Sequence, residues 1–118
     1  MSIAAAAIAA IQQQAYADSQ RWFPELHTRG HREVRLHYAV GLNEEAGEVA
    51  GVIKKANLCG GLMDSCDKHK DGKHSHRSLA DEIADVFIYL AALAEHEGIN
   101  LAAAAEAKHA ELVERWDS

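Results

Sequence analysis

Two segments of the chain carry acidic residues in the same order and with the same spacing. The first reads LNEEAGEV over residues 42–49, and the second reads LADEIADV over residues 79–86. An alignment of the two matches three acidic pairs: Glu44 with Asp81, Glu45 with Glu82, and Glu48 with Asp85. Carboxylates in such groups bind divalent cations or act as general acids and bases.

Helical geometry makes this spacing significant. Each residue turns a helix by about 100°, so residues three apart lie on nearly the same face. Glu45 therefore shares a face with Glu48, and Glu82 shares one with Asp85. Apolar residues cover the adjoining arcs in both segments. We expect these four acids to border apolar faces, with the remaining two acids pointing further outward.

The four acids predict a cation site. Two antiparallel helices packed through these faces would bring the carboxylates together, where partly desolvated negative charges repel. Protons or cations must then neutralise them. One ExxE alone is weak evidence, because acids on helices are usually solvated, but two matching segments favour a site. Mg²⁺ prefers oxygen ligands and often binds carboxylates together with substrate phosphates. We therefore expect Mg²⁺ or Mn²⁺ and a phosphorylated ligand.

Composition predicts that helices position these acids. Alanine fills 23 positions, whereas valine, isoleucine and threonine together fill 14, which favours an all-α fold. Pro24 ends the first helix or begins a turn, Gly98 stops another helix and Asn100 caps the next. Residues 25–30 are predicted as a linker. We predict a four-helix bundle with helices over about residues 2–22, 31–57, 78–97 and 101–116.

Residues 57–77 are predicted as a long loop rich in cysteine and histidine, inserted between the second and third helices. Such a loop is either functional or mobile in a compact domain. Three interpretations stay open: a mobile polar loop, a lid over a substrate, or a zinc site. The residues that would supply zinc ligands are Cys59, Cys66, His69, His74 and His76.

Charge and length exclude several classes of function. The 118 residues predict a single domain over 1–118. A net charge of −6 argues against a general nucleic-acid binder, which needs a basic face. No apolar run reaches the roughly 18 residues of a membrane span. Two cysteines do not make a disulfide scaffold, so a cytoplasmic location is expected.

The two acidic segments and their flanks resemble a known family. The stretches EEAGEVAGVIKKA and LADEIADVFIYLAALAEHEGINL are similar to the MazG-like all-α nucleoside triphosphate pyrophosphohydrolases. The resemblance covers residues 22–115. It implies cleavage of a nucleoside triphosphate to the monophosphate and pyrophosphate, with a role in nucleotide-pool housecleaning. It also implies homo-oligomers, most often dimers or tetramers.

The resemblance also implies roles for individual residues. The four motif acids would hold the metal ion: Glu45, Glu48, Glu82 and Asp85. Glu45 or Glu48 would accept a proton from the attacking water. Candidate substrate contacts are Lys54, Lys55, Tyr89, Trp22 and Lys108. Several of these have ordinary alternatives: Trp22 and Tyr89 as packing residues, and the two neighbouring lysines as a solvated helix end. The alternative function is a non-catalytic helical module that binds a metal or a partner protein.

Overall fold

A computed structural model of the chain describes residues 3–59, 64–68 and 74–117. Five helices lie in these ranges: α1 (Ile3–Trp22), α2 (Pro24–His27), α3 (His31–Cys59), α4 (Leu79–His96) and α5 (Leu101–Trp116). Two short strands, β1 (Asp64–Lys68) and β2 (His74–Ser78), lie between α3 and α4. None of the described helices combines the length and apolar character needed to span a bilayer.

The prediction of an all-α fold is confirmed, with one addition. The four expected helices are present, and a short fifth helix, α2, occupies part of the predicted linker. Pro24 stands at the first positions of α2, where its fixed φ suits a helix start and its missing N–H is not needed. The other boundary signals act as expected. Gly98 adopts a φ of +69° after α4, and the side chain of Asn100 accepts a hydrogen bond from the Ala103 amide.

The predicted loop between α3 and α4 contains two paired strands. β1 and β2 pair antiparallel, with Asp64 opposite Ser78 and Lys68 opposite His74. Helix α3 also extends two residues beyond its expected end at residue 57. The side chains proposed as zinc ligands lie outside those that the structure describes, so the zinc and lid interpretations stay predictions.

The chain divides into two compact units. Unit 1 comprises the residues up to Tyr38 and from Leu90 onward. Its buried apolar side chains are Val34, Tyr38, Ala91, Ala92, Ala94 and Ala102. The buried Gln12 side chain binds the turn between α4 and α5, because it donates to the Ile99 carbonyl at 2.7 Å and accepts from the Leu101 amide at 3.1 Å. This residue therefore satisfies an amide that the start of α5 leaves open and a carbonyl of the connecting turn.

Unit 2 is Ala39–Tyr89 and contains both acidic segments. Val52 and Ala56 of α3 are buried in it, and so is the acidic Glu82 of α4. The next residue on α4, Ile83, is 52% exposed. An amphipathic helix normally has the reverse arrangement, with the isoleucine inside and the acid outside. The site therefore departs from ordinary helix packing at this point.

Candidate metal centre

Three of the predicted acids meet in unit 2. One carboxylate oxygen from each of Glu45, Glu82 and Asp85 lies within 4.8 Å of the other two. We call these three residues the acid cluster. Glu45 comes from α3, and the other two come from α4, where their spacing places them on one helical face. A divalent cation binds carboxylate oxygens at about 2.0–2.6 Å, so oxygens this close suit a shared ion.

Burial makes the acid cluster costly without a counter-ion. Glu82 is only 7% exposed, and Oε2 of Glu45 is buried without a hydrogen-bond donor in the described part of the chain. A buried carboxylate oxygen that lacks a donor or a cation loses its hydration and gains nothing in return. This oxygen is the strongest structural sign that the acid cluster accommodates a positively charged ligand.

Electrostatics point the same way. Burial is the largest cause that raises the pKa of the Glu45 carboxyl above its ordinary value. The negative charges of four neighbouring acids raise this pKa further: Glu48, Asp85, Glu82 and Glu44. Excess negative charge therefore surrounds Glu45. A divalent cation would remove the repulsion, and it would also favour the ionised carboxyl that a metal needs as ligand.

Glu48 lies outside the acid cluster as its oxygen distances define it. Its side chain is exposed on α3, and its charge still acts on Glu45. The structure therefore brings three of the four predicted ligands together and places the fourth nearby. The outer acids of both segments, Glu44 and Asp81, are exposed as the helical spacing predicts.

Tyr89 also belongs to the surroundings of the acid cluster. Burial raises the pKa of its hydroxyl, and the charges of Glu45, Glu44, Asp85 and Glu48 raise it further. The ring is half-buried and lies against the backbone of α3 at Gly41. Sequence reasoning identified Tyr89 but missed Gly41. A glycine inside a helical pattern, one turn before an acidic motif, is the signal that could have revealed it.

The predicted substrate contacts fall in both units. Lys54 and Lys55 are exposed on α3 in unit 2. Lys108 belongs to unit 1, where its Nζ pairs with Glu111 at 3.1 Å. Trp22, also in unit 1, is 63% exposed, so it is not a core residue of this unit. The Arg21 guanidinium lies 5.6 Å from the centre of its ring.

A second cluster of possible metal ligands lies in unit 1. Ligand atoms of His31, His96 and Glu97 lie within 4.8 Å of one another, a grouping that no sequence pattern indicated. The Glu97 carboxylate and one ring nitrogen of His31 already have partners. Arg35 donates two hydrogen bonds to the Glu97 carboxylate, one of them at 2.9 Å. Nε2 of His31 lies 3.3 Å from the same carboxylate.

His96 uses both ring nitrogens within unit 1. Nε2 lies 2.9 Å from the His31 carbonyl, which can only accept, so this nitrogen carries the proton. Nδ1 then accepts from the Tyr16 hydroxyl at 2.7 Å. A metal ion at this cluster would have to displace these partners. We therefore interpret the cluster as a salt bridge with stacked histidines, whose ring centres lie 4.0 Å apart.

Comparison with known protein families gives a match that includes both acidic segments. Searches of curated proteins and of solved structures give no match. The model of one family, the MazG nucleotide pyrophosphohydrolase domain, matches residues 35–116. This range includes both acidic segments and covers more than half of the chain. The chain therefore belongs to the MazG nucleotide pyrophosphohydrolase domain family.

Proposed function

We propose that this protein hydrolyses nucleoside triphosphates to the monophosphate and pyrophosphate with Mg²⁺, or alternatively Mn²⁺, as its metal ion. The observation that carries the proposal is the buried Oε2 of Glu45, which has no donor in the described residues. Glu45 belongs to the acid cluster, in which one oxygen of each acid lies within 4.8 Å of the others. The family match supports the reaction class. The proposed role is nucleotide-pool housecleaning in the cytoplasm.

The acids divide into two roles in this proposal. Glu45, Glu82 and Asp85 hold the metal, since their oxygens are close enough to share it. The bound metal would supply charge neutralisation for the phosphate chain and a lowered pKa for a bound water. Glu48 completes the ligand set or acts as the general base. We favour the base, because its exposed carboxylate lies outside the acid cluster and stays accessible to a water proton.

Contacts to the substrate are proposed for several residues. Lys54 and Lys55 share unit 2 with the acid cluster and follow Glu48 on α3, so they are the first candidates for the phosphates. Tyr89 is a candidate hydrogen-bond partner, because the charges of Glu45 and Asp85 raise the pKa of its hydroxyl. Trp22 stays a sequence-based candidate for stacking on the base, and Lys108 one for a phosphate.

Self-association into a dimer or tetramer is part of the proposal. Unit 2 exposes large apolar side chains that a monomer would leave in water: Val40, Ile53, Leu58, Ile83 and Ile88. Exposed apolar residues in such number are typical of an interaction surface. Covering them with a second copy would also explain why Ile83 is exposed beside the buried Glu82.

Pyrophosphate release tests the proposed reaction. A panel of canonical and modified nucleoside triphosphates is incubated with the protein in Mg²⁺ and in EDTA. We expect release that needs Mg²⁺ and falls by at least about a hundredfold in Glu48→Gln, the range for loss of a general base. A matched control is Glu114→Gln, which changes an exposed acid on α5 and should retain turnover.

Absence of turnover by folded wild-type protein with Mg²⁺ and with Mn²⁺ would contradict the proposal. The non-catalytic helical module would then become the preferred interpretation. In that case Asp85→Asn should stabilise the fold, because it removes one of several repelling charges.

A further inference from the structure

Gly41 is the glycine of α3 whose missing side chain makes room for another residue. It is buried, and a Cβ atom built on it would lie 2.7 Å from Cδ1 and 3.0 Å from Cζ of Tyr89. Real Cβ atoms essentially never show a contact as short as 2.7 Å. The ring of Tyr89 therefore occupies the space that any side chain at this position would need.

Two other glycines of α3 provide a contrast. A Cβ atom at Gly47 or Gly51 would meet nothing within 4 Å. Glycine inside a helix is unfavourable relative to alanine, because more backbone freedom is lost on folding. At those two positions the structure shows no steric need for glycine. At Gly41 the steric need for glycine is clear, because the Tyr89 ring could make room for an added Cβ atom only if the whole side chain moved.

The contact between Gly41 and Tyr89 lies close to the acid cluster along both helices. Gly41 precedes Glu45 by four residues on α3, and Tyr89 follows Asp85 by four residues on α4. Four residues make about one helical turn, with a rise of about 6 Å. Besides burial, the charges of Glu45 and Asp85 raise the pKa of the Tyr89 hydroxyl, which agrees with this proximity. A change in this contact would therefore be felt at the carboxylates.

We propose that Gly41 is a positioning residue for the metal centre. Its missing side chain lets the ring of Tyr89 lie against α3, and this contact sets the distance at which Glu45 meets Glu82 and Asp85. The inference rests on the proposed function, because the spacing of the acids matters to activity only if they hold a cation. It assigns to Gly41 a role that the acidic motifs themselves do not include.

Manganese affinity tests the proposal without relying on turnover. Free Mn²⁺ is measured by electron paramagnetic resonance during titration of full-length protein. We expect Gly41→Ala to bind Mn²⁺ about 10- to 100-fold more weakly, the range seen when residues that orient metal ligands are lost. Turnover should fall by about a hundredfold, the cost of a displacement near 1 Å. The matched control Gly51→Ala should retain both values, since its added Cβ has space.

Changes at Tyr89 separate the ring from its hydroxyl. Tyr89→Phe keeps the ring and should retain Mn²⁺ affinity. Tyr89→Leu shrinks the ring and should weaken Mn²⁺ binding even if Gly41→Ala fails to fold. In a Tyr89→Ala background, Gly41→Ala should cause little further loss, because its effect acts through the ring. Such non-additivity is the expected signature of direct contact.

Three results would overturn the inference. The first is equal Mn²⁺ affinity in Gly41→Ala and Gly51→Ala. The second is full additivity of the changes at Gly41 and Tyr89. The third is undiminished Mn²⁺ affinity in Tyr89→Leu. These outcomes leave the proposed function standing if the wild type binds Mn²⁺ and releases pyrophosphate. A wild type that does neither would overturn the proposed function and this inference together.

Discussion

Glu45 in unit 2 and Glu97 in unit 1 are both half-buried glutamates, yet their electrostatic surroundings are opposite. Hydrogen bonds from Arg35 lower the pKa of Glu97 to about 2, although partial burial opposes them, and His31 lowers it as well. Burial and the charges of four other acids raise the pKa of Glu45. Since both residues are half-buried glutamates, the charged groups beside each carboxylate decide whether it is already neutralised.

This difference separates a structural ion pair from a candidate metal centre. The fold itself supplies a cation to Glu97, because the Arg35 guanidinium donates two hydrogen bonds to its carboxylate. This bidentate geometry suits a guanidinium and a carboxylate. The described residues supply no donor to the buried Oε2 of Glu45. We therefore expect the acid cluster to obtain its positive charge from a bound ion. Both groups contain possible metal ligands, and in the described residues the acid cluster differs by containing a buried carboxylate oxygen without a donor, Oε2 of Glu45.

The largest expected effect comes from changing one acid in each region. Glu82→Gln should reduce turnover by more than about a hundredfold, because loss of residues that merely support a ligand already costs about 10- to 100-fold. Glu97→Gln should retain turnover and lower the melting temperature. Pyrophosphate release and thermal unfolding of both variants check this. Equal turnover in the two variants would mean that the comparison assigns their roles incorrectly.

A smaller effect is expected from Mg²⁺ on stability. An ion that binds only the folded protein at a hundredfold excess over its Kd stabilises it by about 2.7 kcal/mol. We expect wild type and Glu97→Gln to melt at higher temperature in Mg²⁺ than in EDTA. Asp85→Asn should lose most of this increase, because its remaining ligands hold the ion weakly. An equal rise in all three proteins would instead indicate a nonspecific salt effect.

The smallest effect concerns the pH dependence of the ion pair. The pKa of Glu97 is lowered from 4.5 to about 2, so its folded form binds protons less strongly than its unfolded form. Its stabilisation is therefore fully present above pH 4.5 and is lost as the pH falls through that value towards about 2. The melting-temperature difference between wild type and Glu97→Gln should shrink over this window.

Arg35→Gln provides the matched test of the pH prediction, because it removes the donor instead of the carboxylate. Its melting-temperature deficit should shrink over the same pH window. Added salt should also reduce both deficits at neutral pH, since Arg35 is exposed and its charge is screened. A deficit that stays constant from neutral to acidic pH would show that the carboxylate contributes through packing instead of charge.

Much of the fold follows from local signals. Pro24 at the start of α2, Gly98 after α4 and the Asn100 cap of α5 act through the backbone of their own turn, so a single sequence reveals such features. The interpretation of Pro24 was incomplete, because it did not include the start of α2. Proline cannot continue the helix that precedes it, but it suits the first turn of the helix that follows. Pairing between β1 and β2 was not predicted, since polar strands lack the alternating apolar pattern of a buried strand.

The candidate site was predictable in its acids and not in its exact membership. Spacing of three residues guarantees that Glu82 and Asp85 share a face, whatever the helix packs against. Spacing does not determine how far Glu48 lies from the acids of the other helix. That distance depends on the rotation of each helix about its axis, which depends in turn on packing residues. Gly41 was missed for this reason, because its partner Tyr89 is 48 positions away in the sequence.

The sequence by itself determined the all-α class, most helix boundaries, the acidic motifs and the family. These depend on residue type and on spacing within one or two helical turns. Tertiary structure alone decided that Glu82 is buried beside an exposed Ile83, that Tyr89 lies on Gly41, and that Arg35 neutralises Glu97. The physical reason is that burial and charge pairing depend on distances between atoms remote in sequence, which the spacing along a single helix does not encode.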